Sequence, residues 1–81
     1  MNIHEMTIEQ LQDVKILTVV QGRQFADEIL EEQIAIHRQM LEIDDKGKWQ
    51  ELCNRHYDLR KIRHRALYLI GRIVIAKRKN N

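Results

Sequence analysis

The densest group of chemically functional side chains in this sequence is basic and lies in its second half. The run Arg60-Lys61-Ile62-Arg63-His64-Arg65 is followed by more lysines and arginines up to position 79. Such clusters neutralise phosphate groups, so they are candidates for contacts to an anion or a nucleic acid. No helix-turn-helix, zinc-finger or RNA-binding pattern accompanies them, and aromatic residues for base stacking are few. The candidate contact residues are Arg60, Lys61, Arg63, Arg65, Arg72, Lys77, Arg78 and Lys79.

A second group, Cys53, His56 and His37, has side chains that can bind a metal or act as nucleophile and base. Cys53 and His56 are three residues apart and therefore share one face of a helix. However, the sequence has one cysteine, no closely spaced histidine pair and no glycine-rich loop to hold a phosphate. The pattern favours ordinary buried side chains. We expect no enzyme activity, no metal and no cofactor.

The third feature is residues 66–76, ALYLIGRIVIA, which are apolar except at Gly71 and Arg72 and have basic neighbours on both sides. As a helix this segment is only about 16 Å long, roughly half of a bilayer's hydrocarbon core. It could lie on a membrane surface, with Tyr68 at the interface and the basic residues on anionic lipid. A helix end buried in a protein contact is the more ordinary interpretation, and we favour it.

The two halves of the chain have opposite charge. Residues 1–45 hold 3 basic and 10 acidic side chains, a net of −7, whereas residues 46–81 hold 11 basic and 2 acidic ones, a net of +9. The single cysteine cannot form an internal disulfide, and no signal-peptide pattern occurs. We therefore expect a cytoplasmic protein. With no proline and only 3 glycines, the composition argues against an all-β fold.

The acidic half has the pattern of one long helix. Thr7 and Gln10 form a capping box, and apolar residues recur with helical spacing up to Ile43. The β-branched run at residues 16–20, followed by Gly22, would by itself suggest a strand and turn. Helical patterns flank it and no partner strand is evident, so we favour a helix. We predict a tail over 1–6 and an acidic helix over 7–43, with a kink or break near 20–23.

The basic half predicts a second helix. The turn signal lies at residues 44–47, where Asp44 or Asp45 can cap the following helix. Leu52, Leu59 and Ala66 fall on one heptad line, and the basic helix is predicted over 48–78. The sequence thus predicts an all-α fold, a single antiparallel helical hairpin about 50 Å long.

In such a hairpin the acidic and basic helices lie side by side. If the chain reverses near residue 45, Asp27 approaches Arg63, and Glu31 and Glu32 approach Arg60 and Lys61. Such surface pairs stabilise a fold little, but they favour the antiparallel register. Trp49 is expected to pack against Leu41 at the closed end of the hairpin.

The apolar residues exceed what one helix–helix seam can bury, so we expect self-association as a homodimer or higher oligomer, with coiled-coil-like packing into a four-helix bundle. We expect a small non-enzymatic accessory, regulatory or inhibitor protein, of bacteriophage or mobile-element type, which binds another protein. A nucleic-acid-binding regulator is the first alternative, and peripheral membrane association is the second. The predicted interface residues are Phe25, Ile29, Ile36, Leu52, Leu59, Ile62, Leu69, Ile70 and Ile73.

Overall fold

The computed structural model describes residues 2–79 and confirms the all-α helical hairpin. A 3₁₀ turn over Ile3–Glu5 precedes three helices: α1 over Ile8–Gln12, α2 over Val19–Glu42 and α3 over Lys46–Lys79. The two long helices, α2 and α3, pack against each other, and no strand occurs between residues 2 and 79. The hairpin is 55 Å long, close to the length expected for a helix of this size.

The first helix begins at the predicted capping box. The Thr7 hydroxyl accepts a hydrogen bond from the Gln10 backbone N–H at 3.1 Å, and the Thr7 N–H donates to Gln10 Oε1 at 2.9 Å. Two backbone groups that a helix start leaves unpaired are thereby satisfied. The helix is short, however, and its fourth residue, Leu11, is almost completely buried.

The predicted helix over 7–43, with a kink or break near 20–23, is interrupted at a different place, because the chain leaves the helical conformation after Gln12 and re-enters it at Val19. The break therefore lies earlier than positions 20–23, and Gly22 is inside α2. Thr18 is a second N-cap: its hydroxyl accepts from the Gln21 N–H at 3.1 Å. The Gln21 side chain accepts from the Leu17 N–H and donates to the Lys15 carbonyl, so it holds the extended segment in place.

The break lets the N-terminal residues fold back over the hairpin. Residues 3–17, which we call the N-terminal strap, run antiparallel to the first half of α2. Ile3 lies near Glu28 and Glu31, whereas Ile16 lies near Gly22. A straight helix would have left Ile3 in water, whereas here it is buried. The predicted tail over 1–6 is therefore an ordered part of the fold over the residues described.

The second long helix begins at Lys46, slightly earlier than the predicted 48, and ends at Lys79. Asp45 is its cap, because its Oδ1 accepts from the N–H groups of Gly47 and Lys48 at 2.8 and 3.1 Å. The predicted turn over 44–47 is accordingly shorter, and Gly47 lies in the first turn of the helix. The lysines and arginine of the last turn suit the negative end of the helix dipole.

The core is the seam between the two long helices, closed on one side by the strap. Ile29 and Leu59 have no exposed surface and lie at its centre. Leu11 and Ile3 join the same cluster from the strap. Burial of each large aliphatic side chain contributes about 1.5–3 kcal/mol to folding. The strap therefore belongs to the hydrophobic core.

Two sequence predictions about side-chain pairing are wrong. Asp27, Glu31, Arg60, Lys61 and Arg63 form no ion pair with any residue from 2 to 79. The acidic side chain that does pair is Glu32, and its partner on α3 is Arg55, one and a half turns earlier than expected. Trp49 is 42% exposed and Leu41 is more exposed still, so they form no core at the closed end of the hairpin.

Candidate functional site: the open face of the hairpin

The strap covers one broad face of the hairpin. A cluster of polar side chains holds the strap against the two long helices. Arg55 Nη2 on α3 donates hydrogen bonds to the carbonyl oxygens of Ile3 and Met6 at 3.1 and 3.2 Å. Arg55 Nε lies 3.5 Å from Glu32 Oε1 on α2, and His4 Nδ1 contacts Glu32 Oε2. The cluster therefore joins the strap to both long helices.

The burial of Glu32 indicates that this polar cluster stabilises the fold and does not bind a ligand. The Glu32 side chain is almost fully buried, and a buried carboxylate is tolerated only when it is paired. Arg55 supplies the opposite charge and His4 covers the other oxygen. Little surface of the carboxylate remains for a ligand. We therefore place these residues in the architecture of the strap rather than in a binding site.

The opposite face of the hairpin is uncovered. Ile34 is two residues from Glu32, which places it about 200° further around α2, on the side away from the strap. A groove of about 440 Å³ runs along this side between α2 and α3, and no strap residue lines it. We call it the basic groove. Its lining residues are Leu30, Gln33, Ile34, His37, Arg38, His56, Arg60, Arg63 and His64.

The basic groove has a one-sided charge. Three arginines and three histidines line it, and no aspartate or glutamate does. Within residues 2–79, Arg38, Arg60 and Arg63 pair with no carboxylate. Arg63 Nε is buried and has no hydrogen-bond partner in the part of the chain described. The groove therefore carries positive charge that no carboxylate of the described chain neutralises, and this charge favours an anionic ligand.

Exposed aliphatic side chains border these charges. Leu30 is 38% exposed, Ile34 45% and Leu67 43%. Leu67 follows Arg60 and His64 by seven and three residues and therefore lies on the same side of α3. We define the open face as the basic groove together with Leu67. It combines apolar and cationic contacts, which is the composition of a surface that binds an amphipathic partner.

A second cleft, of about 420 Å³, lies under the strap. Segment 11–17 forms one wall, and Phe25, Ile62 and Leu69 form the others. The walls are mainly the apolar core, with Lys15, Asp13 and Arg65 among the polar lining residues. Among the described residues, no side-chain nitrogen or oxygen of this cleft is buried without a hydrogen-bond partner. It carries less binding chemistry than the basic groove.

The predicted interface residues lie mainly inside the protomer. Phe25, Ile29, Ile36, Leu59, Ile62 and Ile70 are buried, and Leu52, Leu69 and Ile73 are half-buried. Because the chain covers these residues itself, a partner could reach the buried six only if the hairpin opened. Their assignment to an interface stays a prediction.

The predicted basic contacts are divided among several sides of α3. Arg60 and Arg63 line the basic groove, whereas Arg65 lines the cleft under the strap. The ammonium of Lys61 lies 4.4 Å from the centre of the Tyr57 ring, a cation–π contact. The remaining four are exposed towards the C-terminal end of the helix: Arg72, Lys77, Arg78 and Lys79. The structure therefore brings only two of the eight predicted contacts into the groove.

The candidate metal-binding or nucleophilic residues and the candidate membrane segment are not arranged as binding sites in the described chain. Cys53 and His56 are half-buried, and no group of three or more potential ligands that could hold a metal ion is found over residues 2–79. In the described chain no helix has an apolar stretch of the length needed to cross a bilayer. Within the apolar segment 66–76, Ala66 and Ile70 pack into the hairpin while Tyr68 and Ile75 are exposed.

The predicted interface and contact residues do not include Leu30, Ile34 or Arg38, although Leu30 and Ile34 belong to the surplus of apolar residues from which the sequence predicts a second contact surface. Leu30, Ile34 and Leu41 repeat at positions i, i+4 and i+11, a second apolar line beside the buried one. A helix with two apolar lines has more than one contact face, and this signal could have identified the open face.

No family model, curated protein or solved structure matches the chain.

Proposed function

We propose that this protein is a non-enzymatic binding module, which acts by binding an acidic amphipathic helix of another protein on its open face. The observation that supports this most directly is that the strap covers only one of the two broad faces of the hairpin. The other face leaves Leu30, Ile34 and Leu67 exposed around a groove without acidic residues. An accessory, regulatory or inhibitor role in the cytoplasm is part of this proposal and rests on the sequence alone.

The chemistry of the open face defines the partner. Its aliphatic side chains favour apolar anchors spaced along a helix, as in other helix-in-groove complexes. Its arginines favour acidic side chains on the flanks of that helix, because opposite charges steer association and like charges prevent it. An acidic amphipathic helix meets both requirements, whereas a neutral apolar surface would leave the arginines desolvated and unpaired.

The same charge argues against one form of self-association. In a two-fold symmetric dimer each patch meets its own copy. Two open faces would bring two sets of Arg38, Arg60 and Arg63 together with no carboxylate between them. Such like-charge contacts are unfavourable by several kcal/mol. Self-association into a four-helix bundle therefore stays a prediction that must use another surface, and the partner on the open face is proposed to be a different protein.

Affinity capture from source cells, with matched variants, tests the proposal. The Leu30→Ser/Ile34→Ser double variant removes the apolar anchors from exposed positions and should retain the fold. The control is Leu17→Ser, because Leu17 is even more exposed and does not line the groove. We expect a protein that the wild type and the control both retain after nuclease treatment, and that the double variant loses.

Two outcomes would contradict the proposal. Equal retention of the same proteins by the wild type and the double variant would exclude the open face as their binding site. Loss of all enrichment after nuclease treatment would favour the nucleic-acid alternative. Light scattering of the purified protein over a range of concentrations determines the oligomeric state separately.

A further inference from the structure

The basic groove holds more positive charge than contact with a single carboxylate requires. Arg38 enters it from α2, and Arg60 and Arg63 enter it from α3. These three guanidiniums have no carboxylate partner within residues 2–79. We propose that the groove binds a phosphate group carried by the partner's peptide segment. The inference rests on the proposed function, because it assigns the chemistry of the partner at the same face.

Phosphate fits this charge better than a carboxylate. A phosphorylated side chain carries about −1.5 to −2 charges near neutral pH and offers three acceptor oxygens, whereas a carboxylate carries one charge and two oxygens. Guanidinium groups bind phosphate through paired, charge-assisted hydrogen bonds. His37, His56 and His64 line the same groove and can contribute further donors. Clusters of arginine are a recurrent means of recognising phosphorylated peptides.

The surroundings of the groove favour a peptide over a nucleic acid as the source of the phosphate. Leu30 and Ile34 form part of its wall, and aliphatic side chains suit the apolar residues of a peptide. No phenylalanine, tyrosine or tryptophan lines it, although single-stranded nucleic acids are held largely by stacking on such rings. The other basic residues do not extend it into a track, because Arg65 lies in the opposite cleft and Lys61 lies against Tyr57.

A titration of the isotopically labelled full chain, followed by NMR, tests the inference. The probes are inorganic phosphate, glutarate as a dicarboxylate of similar charge, and a short oligothymidylate. We expect phosphate to shift the amide signals around Arg38 and Arg60–Arg63. We also expect phosphate to bind more tightly than glutarate.

Exposed arginines provide two groove variants and one matched control. Arg60→Gln and Arg38→Gln each remove one charge from the groove, and Arg72→Gln removes one from the exposed part of α3 outside it. We expect each groove variant to weaken phosphate binding about tenfold, the size of one lost charged hydrogen bond. Arg72→Gln should leave binding within about twofold, since it removes only general attraction. The Arg63→Gln variant is avoided as the main test because Arg63 is partly buried.

The phosphate, glutarate and oligothymidylate titrations can each contradict the inference. Absence of phosphate-dependent shifts, equal weakening by Arg72→Gln, or equal binding of glutarate would overturn the inference. Oligothymidylate binding that surpasses phosphate and weakens in all three variants would assign the charge to nucleic acid instead. If phosphate fails to bind while partner capture still requires Leu30 and Ile34, only this inference falls. If phosphate binds through Arg60 but capture ignores Leu30 and Ile34, the groove is a phosphate site, whereas the proposed function and the assignment of the phosphate to a partner helix are both overturned.

Discussion

Gly22 allows a close approach of α2 to both α3 and the strap. It lies inside α2, and a Cβ atom added there would be 2.5 Å from Ile70 Cγ1 and 2.9 Å from Ile16 Cγ2. Neither carbon can move far, because β-branched side chains have few allowed rotamers in a helix or a packed segment. We therefore predict that Gly22→Ala disturbs the contact of α2 with both α3 and the strap.

The change in the free energy of unfolding caused by Gly22→Ala is the sum of two opposing effects. Alanine in place of glycine stabilises a helix interior by about 1 kcal/mol. Overpacking a tight contact destabilises a protein by about 1–3 kcal/mol. Gly71 provides the matched control, since it lies inside α3 and a Cβ atom added there would meet nothing outside its own helix within 4 Å. We expect Gly71→Ala to raise the free energy of unfolding by about 1 kcal/mol. Gly22→Ala should leave it unchanged or lower it by up to about 2 kcal/mol.

Urea unfolding followed by circular dichroism measures both variants. The useful quantity is the difference between their free energies of unfolding, because the helix-propensity gain is common to both and cancels. That difference should be about 1–3 kcal/mol, with unchanged slopes against urea. If Gly22→Ala stabilises the protein as much as Gly71→Ala does, α2 does not approach Ile70 and Ile16 as described, and the position of the strap is wrong.

Three further predictions concern the polar and apolar supports of the fold. Arg55→Met should destabilise the protein by about 2–4 kcal/mol, because it removes two strap hydrogen bonds and the arginine partner of the buried Glu32, which keeps only its contact with His4. In the double variant with Glu32→Gln the two losses should be far from additive, and additive losses in urea unfolding would exclude their coupling. Thr18→Ala should weaken the start of α2 by about 1 kcal/mol, visible as faster amide hydrogen exchange there, and unchanged exchange would contradict the cap. Ile29→Asp or Leu59→Asp should abolish the helical circular dichroism spectrum, since both positions have no exposed surface, and a fully helical variant would refute the core.

Short-range capping patterns in the sequence were sufficient to predict where two of the helices begin. Thr7 with Gln10 and Asp45 before Lys46 are short-range patterns, and each forms the hydrogen bonds that its pattern predicts. The break before α2 carries the same pattern, because Thr18 is followed three residues later by Gln21. The helical spacing of the apolar residues on both sides concealed it. An apolar line predicts which side chains are buried, and it does not show whether one helix or two supply them.

The position of the strap could not be predicted from the sequence. Its placement depends on Arg55 reaching the carbonyls of Ile3 and Met6, which lie some fifty positions away along the chain. No local pattern encodes such a contact. For the same reason the sequence could not distinguish the face that the strap covers from the face that it leaves open. Ile29 and Leu59 are buried within the protomer, whereas the sequence places them in an interface because its apolar residues exceed what one helix–helix seam can bury.

The opposite charges of the two halves have a different role from the one that the sequence suggested. They do not form a ladder of pairs between the helices, because Glu32 with Arg55 is the only such pair described between α2 and α3. Instead, Glu28 and Glu31 lie on the strap side, while the unpaired arginines lie in the basic groove. The hairpin therefore carries a partial separation of charge across its width, because Lys15 and Arg65 also line the cleft on the strap side. Such a field orients a charged partner before contact and raises the association rate, an effect that salt screens.

This charge separation also distinguishes two kinds of assembly. A head-to-tail stack of copies would place the acidic side of one protomer on the basic groove of the next, and such contacts continue into rings or filaments. An acidic partner of another sequence would occupy the groove once and end the assembly. We expect the second, so added partner should yield a complex of fixed mass at every protein concentration. If the protein alone forms species whose mass grows with concentration, and Arg60→Gln stops this growth, the groove binds a second copy of the chain.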